Sequence, residues 1–591
     1  MDQGAWRRSA IAILSLAAAG CSASSSSSSP LPPAESVTSG PGSSGGAGGN
    51  AGSGSASLSD AGGVAALPPE TKIESNFLSP VATGTVVWAA NPSSGRVAYI
   101  DATSFSVKTV QAGAGPTYLA AIPDPVATDQ PPDDIAIVFN VASQDATLFK
   151  LAPPADGGPD IGGTLTTQTF GSMPANTNAW AVSASGHWAI AWTNTSPGLI
   201  SNPDPLQGYS EIAVIDITGQ EPPTLLASVG YLPVQIAFAG DEFAYVVTQD
   251  GIAVVDLRGT APTVTANYPL LALSDGGVGV SSDAESTLAE DAGGETDASG
   301  DASSAANADA GASGAPDVSF TPDASYALVR QDGVQSITVI ALATGATTLV
   351  PLPALPTDLT MSPTGTFAVA VLRDTSTVVT LPIPGIAGDP TSYSTIPIAG
   401  ETIGRAIVTN GGATALLFTT AAPIGLLTVL TFQPTPTYRP VPLHEPVLAV
   451  FPTPDGQNAV VLHQITATAE DQGAFSVVPI GTDLPANIQP LPAPPSQVAL
   501  TDDRALITVS DSSTSTYGVY MAMMPSLVTF NYTLASPPVA VGIVPGGLAA
   551  YVAQNYPDGR ITFIDLTDDD AGARTITGFD LSAGIVEGPD Q

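Results

Sequence analysis

The sequence predicts an all-β chain built from about ten four-stranded units that repeat along the polypeptide. Three observations carry this reading. Apolar strands start near residues 86, 135, 188, 243, 326, 367, 414, 458, 505 and 549, a spacing of 41 to 55 residues with one exception of 83. That spacing is the size of a unit of four short strands joined by tight turns. The motifs between the strands recur with them. Finally, hydrophobic residues make up 43% of the 591 and charged residues only 11%, so strands can be buried on both faces.

From the N-terminus, residues 1–21 comprise Arg7 and Arg8, the apolar run AIAILSLAAA (10–19), then Gly20 and Cys21. A bilayer-spanning helix needs about 20 apolar residues, so this run reads as a cleaved signal peptide. Arg7 and Arg8 lack the apolar consensus that follows a twin-arginine signal, which points to the general secretory route. The segment AAGC (18–21) resembles the lipobox of bacterial lipoproteins, with Ala18 in place of the usual Leu. The resemblance implies that Cys21 is the lipid attachment site. With Ser22 following it, the implied location is extracytoplasmic and lipid-anchored, the outer membrane being favoured.

Residues 22–72 are rich in Ser, Gly, Ala and Pro and have no apolar periodicity, which predicts a disordered tether. Some 50 flexible residues span roughly 40 Å, enough to hold a domain clear of lipid headgroups. A second such segment, 274–316, interrupts the repeats and accounts for the spacing of 83. Its carboxylates are scattered among Ala and Gly instead of following a D-x-D-x-D-G calcium loop, so it reads as a disordered acidic insertion. The whole chain has 53 acidic and 14 basic residues and a net charge of -39. That charge repels nucleic acid and anionic lipid. One Cys and three His leave no disulfide framework and no His-rich metal cage, and neither a metal nor a cofactor is expected.

The repeating region, 73–591, has its clearest internal match at its two ends: NPSSGRVAYID (91–101) and NYPDGRITFID (555–565). SEIAVID (210–216) and GIAVVD (251–256) repeat the strand with its terminal Asp. PTDLTMSPTG (356–365), PVLAVFPTPDG (446–456), APDVSFTPDAS (315–325) and PVAVGIVPGG (538–547) repeat an apolar strand running into a turn where Pro presets φ. Together these motifs resemble the YVTN-type β-propeller repeats. The resemblance implies a β-propeller of about ten blades, as one large ring or as two smaller rings in one chain. The strands starting near 86, 135 and so on read as innermost. The segment NFLSPVATG (76–84) reads as a return strand without its own unit, and is expected to complete the last blade.

No nucleophile elbow, HExxH, P-loop, dinucleotide fingerprint or zinc-type spacing occurs, so no catalytic residue is assigned. His187, His444 and His463 read as satisfied structural histidines. Asn91, Asn140, Asn194, Gln249, Gln331, Asp374, Thr420, Gln464, Asp511 and Asn555 share one register, where Asx-type turns would occupy them. One position earlier stand Arg330, Arg373 and His463, candidates for an anion-binding spot at a channel mouth, against pairing of the arginines with Asp332 and Asp374. Arg96 and Arg560 are expected to pair across the ring seam, and Trp188 and Trp192 to fill core between blades. The functional expectation is a non-enzymatic binding or scaffold protein of the cell envelope. Its partners are the membrane, through lipid, and another envelope protein or a glycan, with no nucleic acid. A propeller hydrolase of lactonase type, or another envelope enzyme with a site at the channel mouth, is the alternative.

Overall fold

Near-continuous apolar runs rich in β-branched side chains favour strands whose two faces are both covered. In the computed structural model, residues 80–587 are described apart from 126–131, 155–159, 172, 195–208, 220–223, 260, 271–315, 465–471, 568–571 and 580–584. The signal peptide with Cys21, the tether 22–72, and all of the insertion 274–316 except Pro316 lie outside the described residues.

Among the described residues the strands form ten antiparallel sheets, each a meander of consecutive strands. These are blades 1 to 10, covering 81–111, 116–170, 179–228, 235–269, 317–351, 358–397, 405–442, 447–491, 495–533 and 538–587. Second and third strands are buried almost throughout, as in Asn458–His463 and Gly473–Pro479. Fourth strands are largely exposed, as in Thr263–Pro269.

The order from centre to rim corrects the sequence reading by one strand. First strands of neighbouring blades approach one another, for example Asp317–Phe320, Asp358–Met361 and Arg405–Val408, so they line the axis. The strands expected to be innermost are second. The reason is one of phase: each unit begins with its return strand, and that strand runs along the axis before the apolar strand pairs outside it.

The same phase removes the expected strand exchange. Val81–Thr83 pairs with Val86–Asn91 of its own blade. Blade 10 has its own first strand, Pro538–Ile543, and a fifth, Ile585–Glu587, at its outer edge. The ring closes by packing instead. Ten buried clusters each fill the space between two consecutive blades, and the tenth joins Val87 and Ile100 of blade 1 to Tyr551 and Phe563 of blade 10. The Tyr551 hydroxyl donates to the Pro80 carbonyl at 3.2 Å across this seam, and Phe105 meets Phe563 edge-on at 5.7 Å. One ring of ten blades results.

The few basic residues hold blades to one another at the rim. Lys108 reaches the Ile161 carbonyl of the next blade at 2.7 Å, Lys150 that of Ile217 at 3.0 Å, and Arg439 that of Ile480 at 3.1 Å. At the seam, Arg574 lies 5.1 Å over the Phe105 ring. Arg560, expected to pair across the seam, is held inside blade 10 by Tyr556 at 3.9 Å and the Ser536 hydroxyl at 3.2 Å.

The motifs have local reasons. In blades 1, 3, 4 and 10 the third strand ends in an Asp that caps the following turn: Asp101 Oδ1 accepts from the Thr103 amide at 2.9 Å and hydroxyl at 2.6 Å, and Asp565 does the same for Thr567 at 2.8 and 2.6 Å. In blades 3, 5, 6, 8 and 9 a Ser or Thr follows the first strand, and its hydroxyl accepts a backbone N–H of the next strand, as Thr453 does for Asn458 at 3.1 Å.

Candidate functional site

A meander places the turns between second and third strands on one face of the ring, and the turns between first and second, and third and fourth, on the other. The ten polar residues read as one register all lie on the first of these faces, at or just beyond the ends of second strands. Asn91 and Asp511 make the expected Asx turns. Asn91 accepts from Ser93 N and Ser94 N at 2.9 and 3.1 Å, and Asp511 from Ser513 N at 2.8 Å. Hydrogen bonds from Ser513 and Thr514 hold the Asp511 carboxyl down at about 2.

The residues proposed for anion binding stand on this face, and Arg330 and His463 are engaged within their blades. Arg330 pairs with Asp317 at 3.2 Å, in the first strand of its blade, and with Asp332 at 2.6 Å. Arg373 opens the short 3-10 turn Arg373–Thr375. His463 is 1% exposed. Its Nδ1 lies 3.1 Å from the Glu445 carbonyl, which can only accept, so Nδ1 carries the hydrogen and Nε2 accepts from the Ser476 hydroxyl at 2.6 Å. Burial holds this imidazole below its ordinary 6.5.

Blades 2 and 10 explain why a polar residue stands there. Asn140 donates to the Thr147 hydroxyl at 3.0 Å and Gln554 to that of Thr562 at 2.8 Å, each crossing to the third strand two residues beyond its direct partner. His463, opposite Ala474, makes the same diagonal contact to Ser476. His463 is therefore one rung of a buried polar ladder.

The opposite face carries a cleft of about 260 Å³ between blades 3 and 4, lined among others by His187, Trp188, Asp216, Asp241, Leu257 and Arg258. His187 sits just before the strand Trp188–Trp192, and Asp216 ends the strand Glu211–Asp216. Asp241 lies in the turn between Gln235–Ala239 and Phe243–Val247 of blade 4. The tight turn before His187 depends on Gly186, whose φ is +75° and whose place would bring a Cβ within 1.8 Å of the Pro123 carbonyl of blade 2.

His187 stacks on Trp188 at 4.8 Å and 12°, one third exposed. Its Nε2 is 3.2 Å from Asp216 Oδ1 and its Nδ1 3.8 Å from Asp241 Oδ2. The Ser185 hydroxyl donates to Asp241 Oδ1 at 2.5 Å, and Trp188 Nε1 to the Asp241 carbonyl at 3.2 Å. Arg258 is clamped by Asp256 through contacts of 3.0 and 2.7 Å and lies 4.4 Å over Phe243. Those hydrogen bonds hold the Asp256 carboxyl at about 2.

The sequence reading treated His187 as isolated because its partners stand far along the chain. Trp188, Ile190 and Trp192 do fill the core between blades 3 and 4, as expected, and Trp188 is at the same time the floor under His187. The one sequence signal for the site was the repeated terminal Asp of the third strand, which brings Asp216 to the start of the second. Among the described residues no three His, Cys, Asp or Glu side chains gather as a metal would need.

No protein-family model matches the chain, and no curated protein matches it by sequence. Likenesses to solved structures are distant. The dihydro-heme d1 dehydrogenase NirN in complex with DHE shares 13% identity over 79% of this chain and 76% of that one, with a TM-score of 0.37. A eukaryotic initiation factor shares 9% over 78% and 97%, with a TM-score of 0.43. A protein of unknown function from Desulfotomaculum acetoxidans shares 13% over 55% and 92%, at 0.31. The chain is a ten-bladed β-propeller on the strength of its own sheets and closure.

Proposed function

We propose that this chain is a lipid-anchored β-propeller outside the cytoplasm that works as a binding or scaffold protein at the cell envelope. The observation that carries the reading is the only cysteine, Cys21, placed at the end of a ten-residue apolar run and directly before a polar tether. Lipid supplies the attachment that a net charge of -39 opposes. Binding is supported by the shape of the ring, which presents ten sets of turns on each face while its second and third strands stay buried. Within the cleft, the Ser185 hydroxyl is given to Asp241 and not to the His187 ring, so no nucleophile is paired with a base there.

A hydrolase is the second reading, favoured by His187 standing between two carboxylates in a cleft. The anchor is tested by feeding cells an alkyne fatty acid and comparing the full chain with Cys21→Ala. The label and the membrane fraction are expected to be lost together in the variant. Equal labelling of both would sink the proposal. Capture of one envelope component by the purified full chain, without turnover of lactone esters, separates the binding reading from the hydrolase.

A further inference from the structure

We infer that Asn410 is a modification site of this chain: its side-chain amide is displaced by the backbone nitrogen of Gly411, and the acid that takes its place loosens blade 7 from blade 8. Of all the asparagines in the sequence, Asn410 alone is followed by glycine. The pair lies in the turn between the strands Arg405–Val408 and Thr414–Phe418 of blade 7, and both residues are exposed.

The reaction needs an amide carbon and a backbone N–H that can reach it. The Gly412 amide donates to the Thr409 carbonyl at 2.8 Å and closes the turn around Asn410 and Gly411, while the Gly411 N–H has no backbone acceptor among the described residues. A side chain on the following residue ordinarily shields that nitrogen. Here there is none, and no other part of the protein lies within 4 Å of where its Cβ would stand. The Gly411 nitrogen forms a bond to Asn410 Cγ and gives up its proton, and the side-chain nitrogen leaves as ammonia, so a cyclic imide results. Water then opens the imide. Attack at Cγ gives aspartate, and attack at the main-chain carbonyl gives isoaspartate. Nothing is oxidised or reduced.

The consequence falls on the contact between blades. Asn410 Nδ2 donates to the Pro454 carbonyl at 2.8 Å, in the corresponding turn of blade 8. That bond is a single one at the surface, where water replaces it readily, so it delays the amide without locking it. The two turns are close, since a Cβ on Gly456 would stand 3.2 Å from the Thr409 Cβ. A carboxylate has no hydrogen to give, so after the reaction an anion faces the Pro454 carbonyl, next in sequence to the Asp455 carboxylate. Isoaspartate also lengthens by one carbon the backbone of a tight turn. Either product exchanges a donor for a further negative charge in a chain already at -39.

The inference goes beyond the binding reading and does not depend on the anchor. The full chain is aged at mildly alkaline pH and digested, and the peptide of each asparagine is followed by mass spectrometry. The Asn410 peptide is expected to gain the mass of an amide-to-acid exchange before that of any other asparagine. Gly411→Ala, at a position with open space and no left-handed φ, is expected to fold normally and to slow the change by about tenfold or more. In fresh protein, Asn410→Asp is expected to speed amide exchange in the turns of blades 7 and 8, and Asn410→Gln, which keeps an amide donor, to stay closer to the wild type. Earlier change at another asparagine, an unchanged rate in Gly411→Ala, or exchange in Asn410→Asp equal to that of the wild type would each overturn the inference. Loss of lipid labelling has no bearing on these results, so failure of the anchor and failure of the site are told apart.

Discussion

Replacing His463 tests whether the polar ladder at the ends of second strands is structural. The side chain is 1% exposed and bonded to the Glu445 carbonyl and the Ser476 hydroxyl, itself 0% exposed. His463→Ala strands that hydroxyl, at about 1–3 kcal/mol, and leaves a cavity the size of the ring; together about 3–4 kcal/mol is expected. His463→Gln installs the residue that blade 10 uses at the same place, Gln554, and is expected to cost less than about 1 kcal/mol.

The two differ from the wild type in pH dependence as well. Burial lowers the folded pKa of His463 below 6.5, so the unfolded chain takes up the proton more readily. The contribution is therefore fully present above about pH 6.5 and is lost as the pH falls from there through the folded value. The slope of that loss cannot exceed about 1.4 kcal/mol per pH unit for one proton. Urea midpoints measured from about pH 7.5 to 5.5 are the assay, because the other titrating groups are common to wild type and variant and cancel in the difference. His463→Gln should lose less stability than the wild type on acidification. Parallel wild-type and His463→Gln curves, or a His463→Ala variant as stable as His463→Gln, would refute the reasoning.

Three further outcomes follow from the fold. Arg330→Ala takes the arginine partner away from the largely buried Asp317 carboxylate and should cost about 2 kcal/mol in urea denaturation, whereas Asp332→Asn, at an exposed carboxylate, should cost under about 0.5 kcal/mol. Arg439→Met keeps the apolar stem but loses the contacts to the Pro479 and Ile480 carbonyls of the next blade, with an expected loss of about 1 kcal/mol. Gly186→Ala drives a methyl into the Pro123 carbonyl and should separate blades 2 and 3 locally, seen as faster amide exchange there, while Gly412→Ala, which meets only the Thr364 side chain at 3.3 Å, should be milder.

Particular residues show how far the sequence could be read. The repeated P-x-x-apolar segment and the V-x-V-I-D strand were legible because their pairing partners lie within one unit, so that alternation and turn chemistry mark both ends of each hairpin. Asp101 and Asp565 were visible as a motif, and their turns are the reason for it. His463 was visible one position before the polar register, but its partner Ser476 was not, since a diagonal contact leaves no signal in one strand. His187 gave no sign of a site. Asp216 and Asp241 reach it from 29 and 54 residues away, and Asp241 belongs to another blade.

The amino-acid sequence by itself determined the blade: four strands, their alternation, the capped turns and the number of copies, all of which are set by hydrogen bonds and burial between near neighbours in the chain. The tertiary structure alone decided that first strands line the axis, that ten blades close into one ring without exchanging a strand, and that a cleft opens between blades 3 and 4. Closure depends on the angle at which each blade packs against the next, and that angle comes from side-chain volumes meeting across ten interfaces, such as Trp88 against Phe149 or Tyr551 against Val87. No local pattern encodes such an angle, because its two halves lie in different units of the chain.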